Sequence, residues 1–439
     1  MTVAQTLSRN VFPNACYGLL GLPLAMAALP VYVQIPAYYT TQLGLPLAST
    51  GLVLFFARIV DTVQDPLLGK IIDRRKHKMA SWFIFASMLL AIAFYGLWQP
   101  PMATGPGAMN SNLLLAWLGV MLVLAYTAHS MINIAYLSWG ARLANTTSDA
   151  RSDTRSDSNF NSASSASTLL GGAAWREGLG LFGVIFASLI PSLIMQAFPA
   201  QINTGLSYYA LGFTVLLALG VLGLLRGAPK WQKHRLDTAV SLRDALSNTQ
   251  FRRLLPIYFF NSVSVSIPAT LSLFFINDRI QAPHLAGYFL ASYFIAGALG
   301  LPVWIILAKR LGTKLAWKIG MAIAIISFIG AAFLAEGNTA SYMLVCIASG
   351  LALGADLALP PVLLAEIIPK TQSPASYYGV WTLLAKLALA LSGLALPLLS
   401  LLSYQPGQSA NSGGLVLLYA ALPCILKLIA LYSLHRYPS

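Results

Sequence analysis

Three ionisable residues share one face of the second apolar stretch of the chain. Arg58, Asp61 and Asp65 follow one another at spacings of three and four residues, so a helix places them within an arc of about 60°. Two carboxylates one turn apart repel each other when ionised, which favours capture of a cation or of a proton. The spacing therefore predicts a cation-coupling site at Asp61 and Asp65, a structural Arg58–Asp61 ion pair being the alternative.

Four further charged residues interrupt other apolar stretches: Arg176 and Glu177 in the fifth, Asp356 in the tenth and Lys386 in the eleventh. A charge in hydrocarbon costs about 2.5–3.5 kcal/mol on insertion scales, so each needs a partner or a water-filled cavity. We expect Arg176 to reach either the acids of the second stretch or an anionic substrate, unless it forms a fixed ion pair. Lys386 is predicted to pair with a buried acid that the sequence leaves open.

One uncharged polar residue completes the predicted substrate and charge network. Asn261 lies in the seventh stretch, where an amide either lines a polar cavity or joins neighbouring helices. The whole network then comprises Arg58, Arg176, Glu177, Asn261, Asp356 and Lys386.

Membrane helices are the elements that must position these side chains. The 439 residues are 57% hydrophobic and 9% charged, against roughly 25% charged in a soluble domain, and the mean hydropathy is +0.70. These values exclude soluble, disordered and fibrous proteins. The length accommodates twelve spans of about 20–25 residues. The predicted spans are 12–40, 48–72, 80–99, 112–145, 163–197, 205–226, 251–277, 285–308, 314–335, 339–367, 375–402 and 413–435.

The basic residues predict how the spans are oriented. Most of the 27 lysines and arginines, Lys427 among them, are assigned to alternate loops, and only Arg279 to the opposite loops. By the positive-inside rule, both termini are expected in the cytoplasm. The net charge of +14 then reflects topology, so no nucleic-acid partner is expected.

A long basic loop near the midpoint predicts two pseudo-equivalent bundles of six helices. It covers residues 227–250 and separates an N-terminal bundle, 1–226, from a C-terminal bundle, 251–439. Corresponding basic turns follow the second and eighth spans, and we expect them to form a gating loop through Asp73, Arg74, Arg75, Lys309 and Arg310. The Pro360–Pro361 pair is predicted to break the tenth helix.

Several segments together resemble the glycoside–pentoside–hexuronide:cation symporter family, the melibiose-permease-like branch of the major facilitator superfamily. They are ARIVDTVQDPLLGKIIDRR (57–75), FFNSVSVSIPATLSLFFINDR (259–279), LPVWIILAKRLGTK (301–314), GADLALPPVLLAEII (354–368) and YYGVWTLLAKLALALSG (377–393). The resemblance implies an all-α membrane protein with twelve helices in two bundles that works by alternating access.

The resemblance also implies roles for single residues. Asp61 and Asp65 match the acidic pair that binds the coupling cation, and Arg58 matches the arginine one turn before it. Lys386 and Arg176 match functional basic residues on helices 11 and 5.

Two departures from the family pattern concern sugar-binding acids. Ala25 stands at the position of one such acid on helix 1, and Asn133 at the position of another on helix 4, which also helps the cation site. The loss of both carboxylates argues against a galactoside and makes proton coupling comparable with Na⁺ coupling. Asn133 is nonetheless assigned to the cation-coupling site.

The predicted function is cation-coupled symport, by Na⁺ or H⁺, of a small organic solute that is sugar-like or a related metabolite. The alternative is proton-coupled efflux of drugs, metabolites or lipid-like amphiphiles on the same fold. An enzyme is not expected, because the second aspartate-rich motif of intramembrane prenyltransferases and a Walker A motif are both lacking.

The remaining expectations concern cofactors, partners and location. No cofactor is predicted, and no metal beyond Na⁺ at Asp61 and Asp65. The expected partners are the solute and the lipid bilayer, with no obligate protein partner, so the protein is expected to be a monomer. It is predicted to be a multi-pass protein of the plasma membrane, which in a bacterium is the inner membrane.

Overall fold

The structure is a computed structural model that describes residues 12–74, 78–101, 110–143, 158–197, 201–228, 246–369, 375–407 and 413–437. Within these ranges all regular structure is helical and no strand occurs. Twelve helices are long and apolar enough to cross a membrane. The predicted all-α membrane class and the number of spans are therefore confirmed.

The first six membrane helices run through the described residues up to 228. They are α1 Phe12–Gln42, α2 Leu47–Arg74, α3 Met79–Trp98, α4 Ser111–Leu143, α5 Ser158–Ala197 and α6 Ile202–Gly227.

The second six follow from residue 249. They are α7 Thr249–Ile280, α8 Pro283–Leu311, α9 Thr313–Ala332, α10 Thr339–Ile367, α11 Ala375–Gly393 with its continuation Ala395–Leu401, and α12 Gly413–Arg436. Residues 229–245, most of the predicted linker, lie outside the described residues, and α7 already begins within the linker's predicted end.

One expectation about the helices is wrong. α10 continues through Pro360 and Pro361 to Ile367 instead of breaking there. Membrane helices tolerate proline because neighbouring helices and local adjustments satisfy the freed backbone groups.

Glycines bring the first and second six helices into close contact at one end of the bundle. A methyl group on Gly51, near the start of α2, would lie 2.6 Å from the carbonyl oxygen of Gly393 near the end of α11. Only a glycine permits this approach. At the same end, Gly287 of α8 packs against Leu189 and Ser192 of α5. These contacts close this end of the bundle. α2 and α8 begin there while α5 and α11 end there, so this end lies opposite the chain termini.

Candidate functional site

An ion pair joins α2 of the first six helices to α11 of the second six. The Nζ atom of Lys386 lies 3.1 Å from Oδ1 of Asp61 and 2.5 Å from Oδ2 of Asp65. The structure thus brings the predicted acidic pair together with the predicted basic residue, whose partner the sequence left open. One ammonium group bridges both carboxylates across the two halves.

A hydroxyl group from α4 completes the surroundings of this ammonium. Ser130 donates a hydrogen bond to Oδ1 of Asp61 at 2.9 Å and accepts one from Nζ of Lys386 at 2.9 Å. The three N–H donors of the lysine therefore face three oxygens. Oxygens are also the ligands that hard cations prefer, so the same atoms can hold Na⁺ once the ammonium leaves. We call Asp61, Asp65, Ser130 and Lys386 the α2–α11 cluster.

Arg58 balances the charge of the cluster. Its Nη1 atom lies 3.6 Å from Oδ2 of Asp61, and its Cζ atom lies 3.9 Å from the ring centre of Tyr126 on α4, a cation–π geometry. The alternative Arg58–Asp61 pair is therefore present beside the lysine bridge. The two carboxylates are neutralised by two basic groups. A further cation would therefore give the site one excess positive charge.

The cluster is buried at one aspartate and open at the other. The Asp61 side chain is 3% exposed, whereas Asp65 is 22% and Lys386 19% exposed. The Oδ1 atom of Asp65 is buried and has no hydrogen-bond partner, which leaves one carboxylate oxygen available to a ligand. The pair is thus partly accessible at Asp65 and Lys386, whereas Asp61 is enclosed.

α4 contributes more to the site than Asn133, the one residue predicted on it. Ser130 belongs to the cluster, Tyr126 packs against Arg58, and Thr127 donates to Oε1 of Gln64, a neighbour of Asp61 on α2, at 2.8 Å. Tyr126, Ser130 and Asn133 are spaced by four and three residues, so they share one helix face. That spacing is the feature of the sequence that could have predicted a polar face on α4. Asn133 lies one turn beyond Ser130 and is half-buried.

Other predicted network residues lie on α5 and α7. The backbone of Arg176 packs on α1, where a methyl group on Gly21 would lie 2.6 Å from its carbonyl oxygen. The side chain of Glu177 lies outside the described residues. Asn261 is 2% exposed, and its Oδ1 atom has no hydrogen-bond partner, so a buried acceptor is left unpaired on α7.

Asp356 belongs to a second pair of charges. Its Oδ2 atom lies 2.6 Å from Nζ of Lys427 on α12, and its Oδ1 atom accepts a hydrogen bond from Nε1 of Trp317 at 2.9 Å. We call Asp356 and Lys427 the α10–α12 pair. The assignment of Lys427 to a loop is wrong, because this side chain is 4% exposed within α12.

The predicted gating residues are only partly visible. Lys309 and Arg310 are exposed at the end of α8. Arg75 and the side chains of Asp73 and Arg74 lie outside the described residues, so the gating role stays a prediction.

Comparison with known proteins places this geometry among transporters. The chain is 22% identical to the sodium-dependent lysophosphatidylcholine symporter 1-A of Danio rerio, over 98% of this chain and 86% of that protein. It is also 22% identical to the inner membrane symporter YicJ of Escherichia coli, over 60% and 53% of the two chains. The crystal structure of the nucleoside transporter NupG superposes with a TM-score of 0.70 at 15% identity, covering 98% of this chain and all of that one.

These similarities confirm a multi-pass membrane protein of the plasma membrane and a transporter instead of an enzyme. The narrower melibiose-permease-like assignment stays a prediction. A family model described as MFS/sugar transport protein matches residues 15–439, and the chain therefore belongs to this family of the major facilitator superfamily.

Proposed function

We propose that this protein is a secondary transporter that couples the movement of a small organic solute to Na⁺ or H⁺ by alternating access. The observation that carries the proposal is the ammonium of Lys386 held between Asp61 and Asp65. This ammonium occupies the place of the coupling cation, and transport requires that the two exchange.

Exchange at this position links ion binding to the arrangement of the two halves. The lysine comes from α11 and both acids from α2, so a cation that satisfies the acids releases a bond between the halves. An ion that binds one arrangement more tightly shifts the equilibrium towards it, and a solute that prefers the same arrangement then binds more tightly. A proton would act through Asp65, whose carboxylate is the more exposed and has a free oxygen.

The charge balance favours a monovalent ion, because Arg58 beside Asp61 leaves the two carboxylates with one net negative charge once the ammonium departs. Two carboxylates and one hydroxyl surround the ammonium, and no group of three His, Cys, Asp or Glu side chains suited to a metal occurs among the residues searched in the described ranges. A relative named as a sodium-dependent symporter supports Na⁺, whereas the missing helix 4 acid at Asn133 supports H⁺.

A buried polar group and the relatives both bear on the solute class. The unpaired amide oxygen of Asn261 offers an acceptor for a hydroxyl or amine of a polar solute, as in a sugar-like compound. The name of the Danio rerio relative supports an amphiphile instead. Both are small organic solutes.

Uptake into proteoliposomes tests the proposal. Solutes are first selected by thermal-shift screening of the purified protein with sugars, organic acids and lysolipids, with and without Na⁺ at two pH values. Asp61→Asn and Asp65→Asn are expected to abolish concentrative uptake driven by an imposed cation gradient while the proteins remain folded. Ser327→Ala is a matched control, because its hydroxyl bonds the Ile323 carbonyl within α9. Undiminished driven uptake in both aspartate variants would reject the proposal.

A further inference from the structure

A cavity on the closed side of the second six helices is built almost entirely from apolar and aromatic side chains. The empty space here, including the part that is open to the surroundings, is about 460 Å³. The walls come from α7, α8, α9, α10 and α12, and α1 contributes Val33 from the first six helices. The cavity therefore lies where the two halves meet and changes shape when they move.

The aromatic walls are held in place by contacts with each other. The rings of Phe275 and Tyr419 stack at 4.1 Å between centroids, and Phe289 meets Tyr342 edge-on at 4.9 Å. The hydroxyls of Tyr342 and Tyr419 lie 2.8 Å apart and hydrogen-bond to each other. The shape of this wall is thus formed before any ligand arrives.

Most hydroxyl groups of the lining already have hydrogen-bond partners in the protein. The Ser272 hydroxyl donates to the Ala269 carbonyl at 3.1 Å, and the Ser349 hydroxyl donates to the Val345 carbonyl at 2.7 Å, each within its own helix. The tyrosine pair uses its hydroxyls internally. A cavity of this kind offers water few partners, and such cavities stay dry and bind apolar groups.

One side of the cavity is less enclosed than the rest. Tyr293 and Phe294 of α8 line the cavity and are only half-buried. Tyr293 carries a phenolic hydroxyl group, which can donate or accept a hydrogen bond. One end of an elongated solute can therefore lie in apolar surroundings while its other end lies at the half-buried side.

We infer that this cavity binds the alkyl chain of a single-chain amphiphile whose polar head lies beside Tyr293, at the half-buried side of the cavity. This inference rests on the proposed transport function and narrows its solute class. The lining excludes a sugar ring, because a buried hydroxyl without a hydrogen bond costs free energy. The experiment below compares two classes of head group.

Photo-crosslinking tests binding separately from transport. Two probes carry the same alkyl chain with a terminal diazirine, one on a lysophosphocholine head and one on a glucoside head. Each is applied to the full-length protein in nanodiscs without an ion gradient, and labelled peptides are identified by mass spectrometry. We expect labelling around Ser272 and Tyr342 that is saturable and displaced by the unlabelled amphiphile. The head group that labels more strongly identifies the solute class.

Matched variants separate the cavity from the lipid-facing surface. Ala269→Phe fills the cavity and is expected to abolish saturable labelling, whereas Leu299→Phe, at a position 66% exposed on α8, leaves it unchanged. Ser272→Leu gives the same comparison if Ala269→Phe does not fold. Labelling is recorded without an ion gradient and driven uptake is measured separately, so a failure of the proposed function remains distinguishable. Non-saturable labelling equal to that of lipid-facing peptides, with either head, would overturn the inference.

Discussion

The α2–α11 cluster and the α10–α12 pair both bury an aspartate against a lysine, but they differ in position and access. Asp356 and Lys427 are 6% and 4% exposed, and both oxygens of Asp356 are bonded. Asp65 and Lys386 are 22% and 19% exposed, and one oxygen of Asp65 is free. The α10–α12 pair joins helices within the second six, whereas the α2–α11 cluster joins the two halves. A sealed pair fixes structure, and an open pair between moving parts can exchange its ion.

The largest expected effect concerns the sealed pair. Lys427→Met leaves the Asp356 carboxylate buried without its counter-ion, which is expected to cost about 3–5 kcal/mol. Lys386→Met is expected to cost less, because Asp65 is partly exposed and Arg58 still faces Asp61. The free energy of unfolding in SDS titrations measures both. The double variant Asp356→Leu/Lys427→Leu should recover most of the loss, and equal costs for the two lysine variants would remove the distinction.

The next effect concerns competition between the lysine and the cation. Lys386→Met removes the ammonium that occupies the oxygen site, so Na⁺ should bind about tenfold more tightly, or ~1.4 kcal/mol. The Na⁺ concentration that gives half of the maximal thermal stabilisation measures this change. Lys386→Arg keeps the competing charge and should behave like the wild type. Weaker Na⁺ binding in Lys386→Met would mean that the lysine supports the site instead of competing for it.

The smallest effect concerns the hydroxyl ligand. Ser130→Ala removes one of the three oxygens around the ammonium, and a hydrogen bond or ligand of this kind contributes about 1 kcal/mol. A several-fold weaker response to Na⁺ is expected in the same thermal titration, with Ser327→Ala unchanged. An identical response in both serine variants would place Ser130 outside the cation site.

The sequence predicted the cluster's acids and its lysine for a physical reason. Charges in apolar stretches are rare and costly, so Asp61, Asp65 and Lys386 stood out, and the period of the helix placed both acids on one face. Their partner assignment depended on which helices pack together, which no local pattern encodes. Fold class and span number followed from hydropathy alone.

The α4 side chains and Lys427 show where sequence reasoning stopped. Ser130 is an ordinary polar residue in an apolar helix, and its importance comes from facing α2 and α11. Lys427 lies close to the end of the chain, where a basic residue resembles a loop charge, although it points inward to Asp356. Its burial depends on the packing of α10 against α12. The Pro360–Pro361 error had the same origin, since tertiary contacts overrode a local rule.

A distance measurement between α2 and α11 tests most directly whether a cation replaces Lys386. Spin labels at Ile71 and Tyr378, both partly exposed on the terminal side of the cluster, are introduced after replacement of Cys16, Cys346 and Cys424. Double electron–electron resonance is then recorded in nanodiscs with and without saturating Na⁺, and at acidic pH. The account predicts a cation-dependent shift to longer distances that disappears in Asp61→Asn/Asp65→Asn. An unchanged distribution in the wild type, or the same shift in the double variant, would contradict it.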